Sequence, residues 1–300
     1  LANILLLVTA VIWGFGFVAQ ILGMTHLGPF AFIGLRFLLG AASLLPVIWW
    51  MWSRLNLSAD QHESLFWGSL TLGIVLFCAS AFQQVGLLYT TASNAGFITG
   101  LYMVFVPVMG IALGIKTGRM TWLGGALAAV GLVLLGFNES YRLGYGDALQ
   151  LLGAVVWAVH ILVIDHFARR VSGLLLAVGQ FLVCGTLGLF VSLTLTDEVT
   201  TSVGIINAAP TLAYAGILTV GVAYTLQVIA QADANPSHAA IILSLEAVFG
   251  ALGGYLILDE WLTPRQMFGC ALMLGGMIMS QLAHQDAQPE LCKDGDRTHA

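Results

Sequence analysis

Apolar residues in this chain come in long unbroken runs separated by short polar corners, unlike the single apolar stripe of a helix in a water-soluble domain. Ten runs can be cut, at approximately 2–24, 29–52, 65–89, 92–113, 120–137, 147–167, 173–195, 208–232, 237–258 and 263–282. Crossing a hydrocarbon core about 30 Å thick takes ~20 helical residues, and a membrane strand needs about half that, so all ten are predicted as transmembrane helices. The first run has no basic leader and no cleavage site, and it reads as a spanning helix rather than a signal peptide. The polar stretch 283–300 is predicted to be a disordered tail.

The runs also repeat. A shift of 144 residues lays the second half on the first without a gap, matching Trp13 with Trp157, Phe37 with Phe181, Gln83 with Gln227 and Ser93 with Ser237. The same shift matches Gly110, Gly125 and Gly131 with Gly254, Gly269 and Gly275. Apolar matches arise easily by chance, so the Trp, the Gln and the spaced glycines carry the weight. Two units follow, 1–137 and 144–282, each with five helices. An odd helix number makes the second unit enter the membrane from the opposite side. The expected fold is therefore an all-α membrane protein of ten transmembrane helices in two inverted five-helix repeats. Inverted repeats place a site near the bilayer midplane and let the halves rock for alternating access, which points to a transporter.

Composition agrees: 59% of the residues are hydrophobic and 8% charged, against about 25% charged in soluble domains. The corners predicted to be inside carry Arg54, Lys116, Arg119, Arg169, Arg170, Lys293 and Arg297, and those outside carry Arg142 and Arg265, so both termini are expected in the cytoplasm. No basic run exceeds Arg169-Arg170, which leaves nucleic acid without a footprint. Cys78, Cys184 and Cys270 lie in apolar runs and Cys292 in the tail, a pattern of small packing residues rather than a disulfide framework. The chain has no Walker A loop, HExxH, CxxC or GxSxG, so neither an ATP-driven pump nor an enzyme is expected, and no cofactor or metal.

Polar residues inside the runs are the candidates for a site. Glu246 is the one carboxylate deep in a run, and a charge at a helix centre costs at least ~2.5 kcal/mol on insertion scales. It reads as a proton-coupling site, as a partner for a substrate ammonium, or as a structural partner holding its helix. Arg36, about seven residues or ~10 Å below the outer end of its helix, reads as a partner for a substrate carboxylate, as a partner for Glu246, or as a snorkelling side chain. His160 reads as a packing histidine or a proton relay. Trp13 and Trp157 lie mid-run, whereas Trp49, Trp50, Trp52, Trp122 and Trp261 fit an interfacial belt. The mid-run pair either lines a cavity and stacks on a ligand or simply packs. Gln83 and Gln227 lie toward opposite ends of the path and read as gate residues or as interhelical hydrogen-bonding groups. Ser80, Gln84, Asn94, Tyr102, Tyr224 and Ser244 are further polar groups placed for a cavity. Ser93 and Ser237 are predicted N-caps, and the GxxxG spacings Gly96/Gly100, Gly110/Gly114 and Gly250/Gly254 predict close helix approach.

The stretches YTTASNAGFITGLYMVFVPVMG (89–110) and HAAIILSLEAVFGALGGYLILDEWLTPRQMFGCALMLGGMI (238–278) resemble the drug/metabolite transporter superfamily, EamA type. VIWGFGFV at 11–18 and GLRFLLGA at 34–41 fit the same resemblance, which covers essentially 1–282. Lys116-Thr117-Gly118 departs from it, since many relatives carry an acidic residue there, as this chain does at Asp259-Glu260. The resemblance implies ten helices in two inverted repeats and secondary export of small metabolites across a bacterial inner membrane. A closer similarity to YddG-like exporters implies neutral and aromatic amino acids as cargo. The implied partners are that small-molecule substrate, the lipid bilayer and, as a candidate coupling ion, the proton; a monomer suffices. An organic-cation or drug efflux carrier and a pore-type facilitator are the alternatives at this point.

Overall fold

A computed structural model describes residues 1–51, 58–136, 144–196, 198 and 200–286. Trp52, Arg54, Arg142, Cys292, Lys293, Arg297 and the tail beyond 286 lie outside the described residues. The described chain opens with α1 (Ala2–Gly23), α2 (Pro29–Met51), α3 (Ala59–Gly86), α4 (Ala92–Thr99), α5 (Tyr102–Ala112) and α6 (Arg119–Gly136). It continues with α7 (Tyr145–Ala168), α8 (Gly173–Thr194), the short α9 (Ser202–Asn207), and α10 (Ala209–Ala213), which runs through a π-helical segment (Tyr214–Tyr224) into α11 (Thr225–Gln231). It closes with α12 (Pro236–Leu243), α13 (Glu246–Ile257) and α14 (Pro264–Asp286), so helix persists past the predicted end at 282. An apolar solvent offers the backbone no hydrogen-bond partners, so long apolar runs close their bonds internally as helices.

Among the described residues, eight helical stretches are long and apolar enough to cross a membrane: α1, α2, α3, Ala92–Ala112, α7, α8, Ala209–Gln231 and Pro236–Ile257. Three of these are not simple helices. The runs expected at 92–113 and 237–258 are each split, and the splits fall 144 residues apart. In the first, Leu101 N–H bonds Ile98 O at 3.1 Å and Met103 N–H bonds Gly100 O at 3.1 Å. In the second, Leu245 N–H bonds Ile242 O at 3.2 Å and Ala247 N–H bonds Ser244 O at 3.1 Å. These i→i+3 bonds tighten one turn of each span. The residue that resumes each helix is Tyr102 in one and Glu246 in the other.

Two local expectations are corrected. The N-caps of α4 and α12 are Thr91 and Asn235, whose side chains accept from Asn94 N–H at 3.2 Å and Ser237 N–H at 3.0 Å; they are not Ser93 and Ser237. Pro at N1 suits position 236, having no N–H to lose, and that sets the cap at 235. Gly110/Gly114 is a helix terminus rather than a packing stripe: Gly114 adopts φ +73°, and Ile115 N–H folds back onto Gly110 O at 2.9 Å.

α6 and α14 pack on each other through glycines. A Cβ on Gly131 would stand 2.5 Å from Gly269 O, and one on Gly276 would meet the Gly124 backbone oxygen. Such contact lets dispersion and backbone proximity hold two helices for which lipid supplies no hydrophobic drive. Gly276→Leu is expected to cost about 2–3 kcal/mol and to lower the melting temperature in detergent by roughly 5–10 °C. Gly118→Ala, with one neighbour at 3.9 Å, is expected to leave it unchanged. Equal melting of the two variants would refute the close approach.

Candidate functional site

α1, α2, α3, α7, the split spans and the π-helical segment surround a cavity of about 490 Å³, counted out to its open side. Its wall includes eight of the predicted residues: Trp13, Arg36, Gln83, Tyr102, Trp157, Tyr224, Gln227 and Glu246. They come from seven helical stretches, with only Tyr224 and Gln227 sharing one (Ala209–Gln231), so folding alone brings them together.

The aromatic part centres on Tyr224 at the end of the π-helical segment. Trp13 lies 4.5 Å from it, centroid to centroid, and Trp157 stacks at 6.0 Å with an interplanar angle of 24°. Phe37 and Phe181, another pair in the 144-residue register, flank the same ring at 5.9 and 6.0 Å. Both indoles are tied at their polar edge. Trp13 Nε1 donates to Thr219 O at 3.1 Å, and Trp157 Nε1 donates to Gln83 Oε1 at 2.9 Å. Gln83 Nε2 in turn donates to Gln20 Oε1 at 3.3 Å, so one amide chain links α1, α3 and α7. Bound indole edges leave the ring faces as the apolar surface of the wall.

The charged part is not an ion pair. Arg36 is 3% exposed and Glu246 is 4% exposed, so neither snorkels. The one salt bridge among the described residues joins Arg169 to Asp165, at 2.8 Å. The Arg36 guanidinium lies over the Phe37 ring at 5.0 Å and near the Phe32 ring at 5.9 Å. Among the buried polar atoms on cavity-lining side chains, Arg36 Nε and Gln227 Oε1 have no hydrogen-bond partner. Tyr102 is the polar neighbour of Glu246, and the two are repeat mates at the two tightened turns.

Five predicted residues do not line the cavity, Gln84 among them, which is fully buried next to Gln83 on α3. His160, one turn past Trp157 on the same face of α7, is fully buried behind that indole, with Nε2 2.9 Å from Gln180 Oε1 on α8. Ser80, one turn before Gln83, is buried against Cys184. Ser244 is fully buried in the second tightened turn and bonds Ile241 O at 2.8 Å. Asn94 lies in the first turn of α4. Sequence reasoning missed Gly16, Phe17, Gln20, Thr99, Ile161 and Thr219 in the wall. Two of these had a signal: Gln20 is an amide in an apolar run, and Thr99 directly precedes the Gly100 break.

Comparison with known proteins agrees with this picture. The EamA-like transporter family matches the chain twice, over residues 1–137 and 144–281. An uncharacterised transporter of Archaeoglobus fulgidus is 32% identical over 286 residues, covering 94% of this chain and 86% of its own length. The uncharacterised transporter YoaV of Bacillus subtilis is 22% identical, covering 90% of this chain and 92% of its own length. A protein crystal structure superposes with a TM-score of 0.72 over 96% of this chain and 98% of its own, at 18% identity, a likeness of fold alone. The chain therefore belongs to the EamA-like transporter family, and it is a multi-pass membrane transporter rather than an enzyme.

Proposed function

We propose that this transporter is a secondary carrier of neutral amino acids, aromatic and other bulky ones above all, and that the central cavity is its binding site. The observation that carries the reading is a buried cation and a buried carboxyl group, unpaired, in the wall of one aromatic cavity. A zwitterion meets both: its carboxylate faces Arg36, its ammonium faces Glu246, and its side chain lies against Trp13, Trp157 and Tyr224. A buried polar group left without a partner costs about 1–3 kcal/mol, and a ligand that satisfies several such groups gains that amount for each. Arg36 in the same wall disfavours an organic-cation cargo, for which Glu246 alone would be the counter-charge.

In this reading α6 and α14 complete ten spans, and the two five-helix halves are inverted. Support comes from features in one register: tightened turns at 100–103 and 244–247, caps at 91 and 235, and hydroxyls at 93 and 237 that reach the corner of the other half. The halves rock to expose the cavity alternately, and Gln83 and Gln227 act toward its two ends. Export across a bacterial inner membrane, cytoplasmic termini, a working monomer and the proton as candidate coupling ion at Glu246 complete the proposal.

Counterflow in proteoliposomes tests it. Vesicles preloaded with unlabelled Phe, Trp or Leu are expected to accumulate the labelled amino acid without any ion gradient, and vesicles preloaded with a dicationic drug are not. Accumulation of the drug alone would replace the amino-acid reading with cation efflux. Flux without accumulation would indicate a pore.

A further inference from the structure

A second concavity lies apart from the cavity and shares no residue with it. It is a groove of about 1,060 Å³, counted to its open side, between Thr71 of α3, Met109 and Leu113 at the end of α5, and Val159, Val163 and Phe167 of α7. Apart from the Thr71 hydroxyl and His166 at its mouth, the lining is apolar. Val159 to Phe167 spans ~12 Å at helical rise, close to the depth of one leaflet of a ~30 Å core. The groove therefore starts at one membrane surface and stops near the midplane.

Its surface end carries several cations. Leu113 is followed by Lys116 and Arg119, and Phe167 by Arg169 and Arg170. Three residues reach at most ~11 Å, so Lys116 and Arg170 stay within reach of the groove mouth. Two turns hold them there: Arg170 N–H bonds Phe167 O at 2.9 Å, and Gly114 with Ile115 folds the other corner over the end of α5. Arg169 is engaged by Asp165, whereas Lys116, Arg119 and Arg170 are exposed with no carboxylate within 4.0 Å among the described residues. Asp60 and Glu63 at the start of α3 and Asp233, two residues before the Asn235 that bonds Lys116 O, are the other acids of this end, so what marks the three rim cations is the absence of a carboxylate within 4.0 Å rather than a net charge.

We propose that this groove binds one anionic glycerophospholipid, with an acyl chain between α3, α5 and α7 and the phosphate met by Lys116, Arg119 and Arg170. An apolar slot one leaflet deep with cations at its rim matches that molecule in length, polarity and charge. A lipid wedged beside α5 abuts one of the two split spans, so the site is placed to influence that span.

The test is native mass spectrometry of the delipidated full chain with phosphatidylglycerol or phosphatidylcholine of identical chains. Each basic group near an anionic headgroup contributes roughly fivefold in affinity. Phosphatidylglycerol is expected to be retained about tenfold or more over phosphatidylcholine. Lys116→Gln/Arg119→Gln/Arg170→Gln is expected to abolish that preference with the melting temperature unchanged, and Val163→Trp to lower retention of both lipids. Equal retention of the two lipids by the unaltered chain, or a preference that survives the triple substitution, would overturn the proposal. A dimer that forms in competition with both lipids would also overturn it, since the groove would then belong to a second copy. None of these readouts depends on what the carrier transports.

Discussion

Arg36→Gln is expected to weaken binding of tryptophan to the purified protein by about 10- to 150-fold, which corresponds to the ~1.5–3 kcal/mol of a hydrogen bond to a charged group. The side chain is 3% exposed, lines the cavity, and has no carboxylate within 4.0 Å among the described residues. A substrate carboxylate is the missing anion in the proposed pose. Tryptophanamide, which lacks that carboxylate, is expected to bind the unaltered protein more weakly and to be nearly indifferent to the substitution. Glu246→Gln is expected to show the mirrored pattern with an analogue that lacks the amine. The pairing of variant and analogue matters because a structural role for Arg36 would weaken all ligands alike. Equal losses for tryptophan and its amide would therefore remove Arg36 from the site and sink the zwitterion pose.

Locking one end of the protein is expected to stop transport completely while leaving binding intact. Thr117 Oγ1 and Ser237 Oγ lie 2.9 Å apart, and Asn235 Nδ2 donates to Lys116 O at 3.2 Å beside them. His238 adds contacts to Ser280 Oγ at 2.8 Å and Asn3 Oδ1 at 3.2 Å, which draws the start of α1 and the end of α14 to the same place. At the other end Ser93 donates to the Glu260 carboxylate, which Asp259 directs by adopting φ 56°, a left-handed turn tolerated by Asp. Ser93 and Ser237 occupy the same register in the two halves, their partners Glu260 and Thr117 fall one residue out of it, and the two contacts tie opposite ends of the split spans. If the halves rock, one must open for each exposure of the cavity. Thr117→Cys/Ser237→Cys, with Cys78, Cys184, Cys270 and Cys292 replaced, is expected to lose counterflow on oxidation and to regain it with a thiol reductant. Ligand binding from the unlocked side should persist in the oxidised form. Continued counterflow in the fully oxidised protein would exclude movement at this contact.

Much of the architecture was legible because membrane insertion is a local decision. A run such as 2–24 or 173–195 is long and apolar enough by its own composition, and it is helical whatever surrounds it. The internal shift of 144 residues was legible for the same reason, since it compares the chain with itself. It also located the tightened turns in retrospect: Gly100 and Ser244 are the weak points of two otherwise uniform runs. Trp13 and Trp157 could be singled out because a mid-run indole departs from the interfacial belt. His160 and Ser80 could not be separated from them, because a run that is apolar all round gives no face from which to read direction.

What the sequence determined by itself, then, was the set of membrane-spanning runs, their duplication, and the few polar groups costly enough to need a purpose, Arg36 and Glu246 foremost. The tertiary structure alone decided which of those groups share a cavity. That Tyr224 sits between Trp13 and Trp157, that Gln20 completes the Gln83–Trp157 chain, and that Arg36 and Glu246 face one space without pairing are consequences of contacts between residues far apart in sequence. Hydrophobic transfer acts on each run independently, whereas rotation about a helix axis is fixed only when neighbouring helices pack.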